Sequence, residues 1–173
     1  MTTIFCSAKL SKLLKIQRKE LSKDNVDMIG CWNAHLFYLK GKKFLIFVHK
    51  ETLYSLIILD FRVDEFKKLH SILYSSLIFQ LKADEIYSDQ RAELFRNHFT
   101  GILFSTTDND RKVIGTINEY ILQFSATLEP GKISAKAFKE GLLASYMNEM
   151  PMGGINFNSP IEQLNQLLEK NAV

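Results

Sequence analysis

One stretch of the chain, residues 31–61, most constrains the fold because little of it can face water. It reads CWNAHLFYLKGKKFLIFVHKETLYSLIILDF and is the most apolar and most patterned part of the sequence. Residues 44–48 and 53–59 are almost continuously apolar and rich in the β-branched and aromatic types that suit a pleated sheet. Strands that are apolar on both faces belong in the middle of a sheet that is covered on both sides.

Polar breaks divide this stretch into three predicted antiparallel strands. Gly41 marks the first reversal, and the polar run from His49 to Thr52 marks the second. A short β-prone run at residues 2–6 predicts an additional N-terminal strand in the same sheet, and residues 102–105 are a candidate fifth strand.

Apolar residues at helical spacing predict five or six helices packed on this sheet. The predicted helices begin after Ser7, near Arg62, after Ser88, after residues 108–110, after Ser134 with Leu142 and Tyr146 facing inward, and after Ser159. The last start is the clearest, because Ser159-Pro160-Ile161-Glu162 is a capping box with proline at the first helical position. The predicted architecture is one α+β domain over residues 1–173, with a mainly antiparallel sheet built on the meander.

Composition excludes several classes of protein. With 46% hydrophobic and 24% charged residues the chain is neither fibrous nor disordered, and its formal charge of +3 neither requires nor excludes a nucleic-acid partner. Cys6 and Cys31 lie in apolar surroundings, so we expect two reduced, buried thiols. The N-terminus lacks a signal-peptide pattern and the apolar runs are too short for a membrane span, which predicts a cytoplasmic protein without a membrane partner.

Three further patterns carry a resemblance. They are WNAHLF with FLIFVHKETLYS, then VIGTINEYI, then MNEMPMGGINFNSPIEQL, in that order along the chain. Together they resemble a family of small bacterial proteins known only as a domain of unknown function, over nearly the whole chain from Thr2 to about Leu168. The family pattern more often has Asn at the place of His49. The resemblance implies no activity, cofactor or partner, so the residues must be weighed by their own chemistry.

Four polar residues of the meander form the candidate catalytic site. Asn33 and His35 lie on one predicted strand, while His49 and Glu51 lie at the turn after the next strand. The antiparallel return through Gly41 would bring Asn33 or its neighbours roughly opposite His49, so a base, the cation of Lys50 and a carboxylate could converge at one sheet edge. The alternative is a polar turn with one exposed histidine.

Other ligand patterns are missing from the sequence. The four histidines fall in different predicted elements without the spacing of metal ligands, so we predict neither a metal site nor a cofactor.

Clustered lysines form the candidate nucleic-acid surface. Lys9, Lys12 and Lys15 lie on one broad side of the first predicted helix, and Lys40, Lys42 and Lys43 surround the Gly41 turn. A helix face and a turn of one sign can bind phosphates without reading sequence. The alternative is that these lysines are only solvated, and the sequence does not settle whether the two clusters share a face.

The sequence therefore favours a non-catalytic binding or regulatory module, because no catalytic motif stands out against a complete structural explanation. Two alternatives remain: a weak, sequence-independent nucleic-acid binder that uses the lysines, and an enzyme that uses Asn33, His35, His49 and Glu51. A protein partner and any oligomeric state stay open.

Overall fold

A five-stranded sheet runs through the computed structural model, which describes residues 1–17, 27–39, 41–127 and 141–171. The strands are β1 (Thr2–Cys6), β2 (Cys31–Leu39), β3 (Lys42–His49), β4 (Ser55–Leu59) and β5 (Ile102–Thr106). Their order across the sheet is β4-β3-β2-β1-β5. The meander of β2, β3 and β4 is confirmed, as are the strands predicted at residues 2–6 and 102–105.

The sheet is mixed, so the prediction of a mainly antiparallel sheet is only partly right. β3 pairs antiparallel with both β2 and β4, whereas β1 pairs parallel with both β2 and β5. The cause lies in the helix that follows β1 directly, α1 (Ala8–Leu14). A strand followed by a helix returns to the sheet by a crossover, and a crossover makes the next strand parallel.

Six α-helices lie within the described residues, in agreement with the predicted five or six. After α1 they are α2 (Leu69–Ala83), α3 (Asp89–Phe99), α4 (Arg111–Thr127), α5 (Leu142–Glu149) and α6 (Pro160–Lys170), with short 3-10 turns at Val63–Lys68 and Gly153–Ile155. Serine side chains begin three of them, as predicted: Ser7, Ser88 and Ser159 each accept a hydrogen bond from a backbone N–H of the first turn.

The predicted inward face of α5 is wrong by one position. Leu142 and Tyr146 are exposed, and their neighbours Leu143 and Met147 are buried instead. A shift of one residue rotates a helix by about 100°, which is enough to exchange the buried and exposed faces. The predicted start of this helix at Ser134 lies outside the described residues.

Helices cover both faces of the sheet, because β2 and β3 bury side chains on both. On the first face α1, α2, α3 and α6 pack against a core that includes Trp32, Phe47, Tyr54, Leu73, Phe95 and Leu164. On the second face α4 and α5 pack against a core that includes Phe37, Ile46, Val113, Tyr120, Phe124 and Met147. Within the described ranges no helix combines the length and hydropathy that a membrane span requires.

The two cysteines lie in different parts of this core. Cys6 and Cys31 are buried and free, as predicted, and they stand on neighbouring strands with Ala34 and Thr3 as their respective partners in the register. Burial raises the pKa of each thiol to about 12. Both thiols are therefore protonated and unreactive at neutral pH.

A buried carboxylate, Asp84 at the end of α2, joins α2, α5 and β4. It accepts hydrogen bonds from the hydroxyls of Tyr54 (2.5 Å) and Ser145 and from the side-chain amides of Gln80 (2.8 Å) and Asn148 (3.1 Å). Five residues that form this network are all at most 9% exposed. Four donors to one carboxylate satisfy a charge that would otherwise be costly to bury.

Asn148 extends the network to the backbone of β4. Its Oδ1 atom accepts hydrogen bonds from the N–H and the hydroxyl of Ser55, both at 2.8 Å, and its Nδ2 atom donates to the Ser55 carbonyl at 3.1 Å. The side chain thus completes the hydrogen bonding of the edge strand β4 where no further strand pairs with it.

We predict that Asp84→Ala lowers the free energy of unfolding by about 3–5 kcal/mol, because four buried donors lose their acceptor at once. Urea unfolding at neutral pH measures the change. The matched control is Asp64→Ala, which removes an exposed carboxylate paired with Arg62 and should change stability by less than about 1 kcal/mol. Equal losses in the two variants would contradict the role given to Asp84.

Candidate functional site

The four candidate catalytic residues separate onto different surfaces. In the register of the meander Trp32 stands opposite His49, and Asn33 stands opposite Val48. Because side chains alternate along a strand, His49 shares the first face with Trp32 while Asn33 and His35 point to the second face. Glu51 is exposed in the turn after β3. The structure therefore brings Asn33 and His35 together but does not bring them to His49 or Glu51.

His49 is a fully buried residue of the first core. Its ring lies 4.9 Å from the Trp32 ring in an edge-to-face contact, and its Nε2 atom lies 2.8 Å from the carbonyl of Met28. Its Nδ1 atom lies 2.9 Å from the hydroxyl of Thr52 and 3.3 Å from the Thr52 backbone nitrogen. These partners assign the neutral form, in which Nε2 donates to the carbonyl and Nδ1 accepts from Thr52.

Burial lowers the pKa of His49 to about 4 and outweighs the opposing hydrogen bonds to the backbone at residues 28 and 29. Both ring nitrogens are engaged inside the protein, so neither is directed at a substrate. The contacts of His49 join the turn after β3 to the segment that precedes β2, which is a structural task.

A polar cluster lies on the second face, where Asp108, which the sequence did not place in the candidate site, joins Asn33 to Lys50. Asp108 accepts a hydrogen bond from Nδ2 of Asn33 at 3.1 Å and an ion-paired hydrogen bond from Nζ of Lys50 at 2.5 Å. The Lys50 ammonium also lies 3.7 Å from Asp110 and 5.3 Å from the centre of the Phe5 ring. Elements far apart in sequence thus meet over the carboxyl end of β1 and the first residues of β2.

Residues 108–110 were expected to supply acceptors for a helix start, and one of them does so. Asp110 accepts hydrogen bonds from the backbone N–H groups of Lys112 and Val113 at the beginning of α4. Asp108 instead turns towards the sheet, and Asn109 between them adopts a left-handed backbone with φ of 59°. A doublet of aspartates two residues apart was the only sequence signal for this division of roles.

Charge pairing fixes the protonation states in this cluster. Burial by itself would raise the pKa of Asp108, but the hydrogen bonds from Lys50, Asn33 and the Asp110 backbone lower it below its usual value. Burial likewise opposes the charge of Lys50, yet Asp108 and Asp110 raise the pKa of the ammonium. Asp108 and Lys50 are both charged across the physiological range, and Asn33 is held against Asp108.

A small crevice adjoins this cluster at the carboxyl ends of β1 and β5. Its walls include Ser7 after β1, Thr107 after β5, the side chains of Asn33 and His35, and Asn118 of α4, and it encloses about 50 Å³. Asn33 is 3% exposed, and its Oδ1 atom is buried without a hydrogen-bond partner. Burial and the nearby charge of Lys9 lower the pKa of His35, so its ring is neutral at pH 7.

The candidate nucleic-acid residues fall into two groups. The Nζ atom of Lys9 lies 4.3 Å above the centre of the Tyr38 ring, and Tyr38 stands opposite Lys43 in the β2–β3 register. Lys9 and Lys43 therefore lie at the same end of the sheet and on the same face, with an aromatic ring that is 46% exposed between them. We call these three residues the basic patch.

The remaining lysines stand around the basic patch. Lys12 is exposed one turn further along α1, and Lys15 is exposed at the end of that helix. Lys42 alternates to the opposite face from Lys43 and lies 3.5 Å from Asp60. Lys40 lies outside the described residues.

Comparison with known proteins supplies a family and no activity. The family model described as Domain of unknown function (DUF6933) matches residues 3–163, which is nearly the whole chain. No match to this chain is found among curated proteins.

We predict that the free energy of unfolding falls by about 3 kcal/mol as the pH drops from 6.5 to 4, because the unfolded chain protonates His49 at its ordinary pKa while the folded chain holds it neutral. The full stabilisation is present above pH 6.5 and is lost as the pH approaches the folded pKa. His49→Asn removes this part of the pH dependence, which urea unfolding across a pH series measures.

His70→Asn is the matched control, since His70 is exposed on α2. This variant should keep the pH dependence of the wild type. An unchanged pH profile in His49→Asn would show that the buried imidazole does not carry the effect.

Proposed function

The chain belongs to the DUF6933 family, a domain of unknown function, so we propose its role from its own residues. We propose that it is a cytoplasmic, non-catalytic module that binds single-stranded nucleic acid through the basic patch. The binding is weak and has no sequence preference. The observation that carries the proposal is the seat of Lys9 over the ring of Tyr38, next to Lys43. Lys9 of the helix and Lys43 of the hairpin therefore lie on one surface, which the sequence did not settle.

The chemistry of the basic patch suits a phosphate backbone. The Lys9 ammonium over one face of the Tyr38 ring and the Lys43 ammonium on the neighbouring strand can each bind a phosphate, while the exposed part of the ring offers a surface for a base or sugar. Lys12 and Lys15 continue the positive charge along the exposed side of α1. Lysine is a point charge rather than a planar fork, so such contacts hold phosphates without reading bases.

Two observations weigh against catalysis as the main role. His49 has both ring nitrogens bonded inside the first core. Glu51 is an exposed residue of the turn that follows β3, whereas His35 pairs with Ile46 in the middle of that strand. The free thiols of Cys6 and Cys31 suit the reducing conditions of the cytoplasm.

We predict that Lys9→Glu combined with Lys43→Glu weakens the binding of a fluorescein-labelled oligothymidylate of about 20 nucleotides at least about tenfold. Fluorescence polarisation measures the affinity. For the wild type, two or three phosphate contacts should make the affinity fall about tenfold between about 50 and about 200 mM salt. The double variant should show a shallower salt dependence.

The matched control reverses the charge of two lysines in the last turns of α2 and α6, by Lys82→Glu with Lys170→Glu. Both double variants change the formal charge from +3 to −1, so they differ only in where the charge is lost. The chain passes Lys43 at Phe61, whose N–H donates to the Lys43 carbonyl, and then runs through a 3-10 turn into α2. Lys82 lies in the last turn of α2, about 20 Å along the helix from its first residue. Equal binding by the two double variants would overturn the proposal.

A second prediction concerns Tyr38. Replacing it with Ala removes the ring that supports the Lys9 ammonium and should weaken oligonucleotide binding by about three- to tenfold. Tyr38→Phe keeps the ring and should bind within about twofold of the wild type. The same polarisation assay distinguishes the two, and loss of binding in both variants would point to the hydroxyl rather than to the aromatic face.

A further inference from the structure

The crevice at the carboxyl ends of β1 and β5 holds a polar group that the fold does not satisfy. Asn33 is 3% exposed, and its Nδ2 atom donates to Asp108. A carboxylate can only accept, so this bond fixes the amide with its nitrogen towards Asp108 and its oxygen away from it. The Oδ1 atom is then buried with no donor.

An unpartnered buried acceptor is uncommon and calls for a physical reason. Stability alone does not supply one, because a leucine of similar size would avoid the desolvation of Oδ1 altogether. The rest of the cluster makes the arrangement rigid, since Lys50 holds Asp108 and Asp108 holds Asn33. The fold therefore keeps an acceptor in one orientation.

The position of the crevice is the one where sheets of this kind bind ligands. From β1 the chain leaves to α1 on the first face, and from β5 it leaves to α4 on the second face. Neighbouring parallel strands whose helices depart to opposite faces open a gap beyond their carboxyl ends. Ser7 and Thr107, which directly follow the two strands, line that gap.

The lining of the crevice defines the chemistry of an occupant. Ile114 and Ile117 of α4 make much of its wall apolar. The polar groups among them carry no net charge: the hydroxyls of Ser7 and Thr107, the neutral imidazole of His35 and the amide of Asn118. Phe5 closes one side with an aromatic ring. The volume of about 50 Å³ holds a group of three or four non-hydrogen atoms, at about 10–15 Å³ for each probe sphere.

We propose that this crevice binds the carboxamide end of a small, uncharged molecule. The N–H of the ligand donates to Oδ1 of Asn33, and its carbonyl oxygen accepts from His35 or Asn118. A carboxamide fits because it supplies a donor and an acceptor within the available volume and carries no charge into a site whose own charges are already paired. Since Oδ1 is out of contact with water, the ligand reaches it by moving a wall of the crevice.

This site is separate from the basic patch, and the two can be tested independently. The basic patch lies on the first face with α1, and the crevice opens on the second face beside α4. Acetamide should leave the affinity for oligothymidylate unchanged, so failure of one proposal does not decide the other.

The test uses acetamide as the probe and nuclear magnetic resonance of the ¹⁵N-labelled full chain as the readout. We expect saturable shifts of the side-chain signals of Asn33, His35 and Asn118, with a dissociation constant on the order of 1 mM, as suits a ligand of so few atoms. Acetone has the same size and a carbonyl but no N–H, and it should bind at least about tenfold more weakly.

Variants identify the acceptor. Asn33→Leu keeps the approximate size of the side chain and removes Oδ1, and it should weaken acetamide binding at least about tenfold. Asn97→Leu, which changes an exposed asparagine of α3, is the matched control and should bind as the wild type does. Should Asn33→Leu fail to fold, the comparison of acetamide with acetone on the wild type still decides the question.

Three outcomes would overturn the proposal. They are shifts that do not saturate, equal binding of acetamide and acetone, and stronger binding of ammonium chloride than of acetamide at the same three side chains. The last result would assign the crevice to a cation.

Discussion

The structure depends on strand β3, because neither of its two faces can be exposed to water. Five consecutive residues of that strand, 44–48, are at most 6% exposed, so apolar side chains emerge on both sides of the sheet. Each side must be covered by helices, which explains why four helices pack on one face and two on the other. The hydrophobic effect thus sets the number of layers before any specific contact is considered.

Much of this could be read from the sequence, and the failures have identifiable causes. The meander, the N-terminal strand and the capped helices follow from local patterns of about ten residues. The parallel pairing of β1 does not, because it depends on the path of the chain after Ser7 rather than on the residues of the strand. The sequence did indicate a helix directly after β1. A helix in that position leads to a crossover that makes the next strand parallel, and no local pattern shows this.

The candidate site shows the same limit at the level of single residues. Register brings Asn33 within one position of His49, as the return through Gly41 suggested. Because side chains alternate along a strand, this offset of one position puts the two side chains on opposite faces. A strand that is buried on both sides shows no alternation of apolar and polar residues, so its sequence does not tell which residues share a face. The partners of Asn33 and Asn148 lie 75 and 93 residues away in sequence, beyond the reach of any local pattern.

The two buried polar clusters illustrate opposite solutions to one problem. Around Asp84 every donor and acceptor finds a partner, and the cluster fastens an edge strand to two helices. Around Asn33 one acceptor is left over, although the same kinds of residue surround it. A cluster that only stabilises therefore differs from one that can also recognise a ligand by one unused acceptor, the Oδ1 atom of Asn33.

The central place of β1 in the sheet has a consequence for how the chain comes to be folded. The strand is synthesised about 100 residues before β5, its partner on one side, so at 5–20 residues per second it waits about 5–20 s with that edge unpaired. Pairings so distant in sequence close late and slowly. An open edge of the sequence TTIFC is also a template for pairing with other chains. The nascent protein thus passes through a period in which a strand that ends up inside the sheet has one edge unpaired.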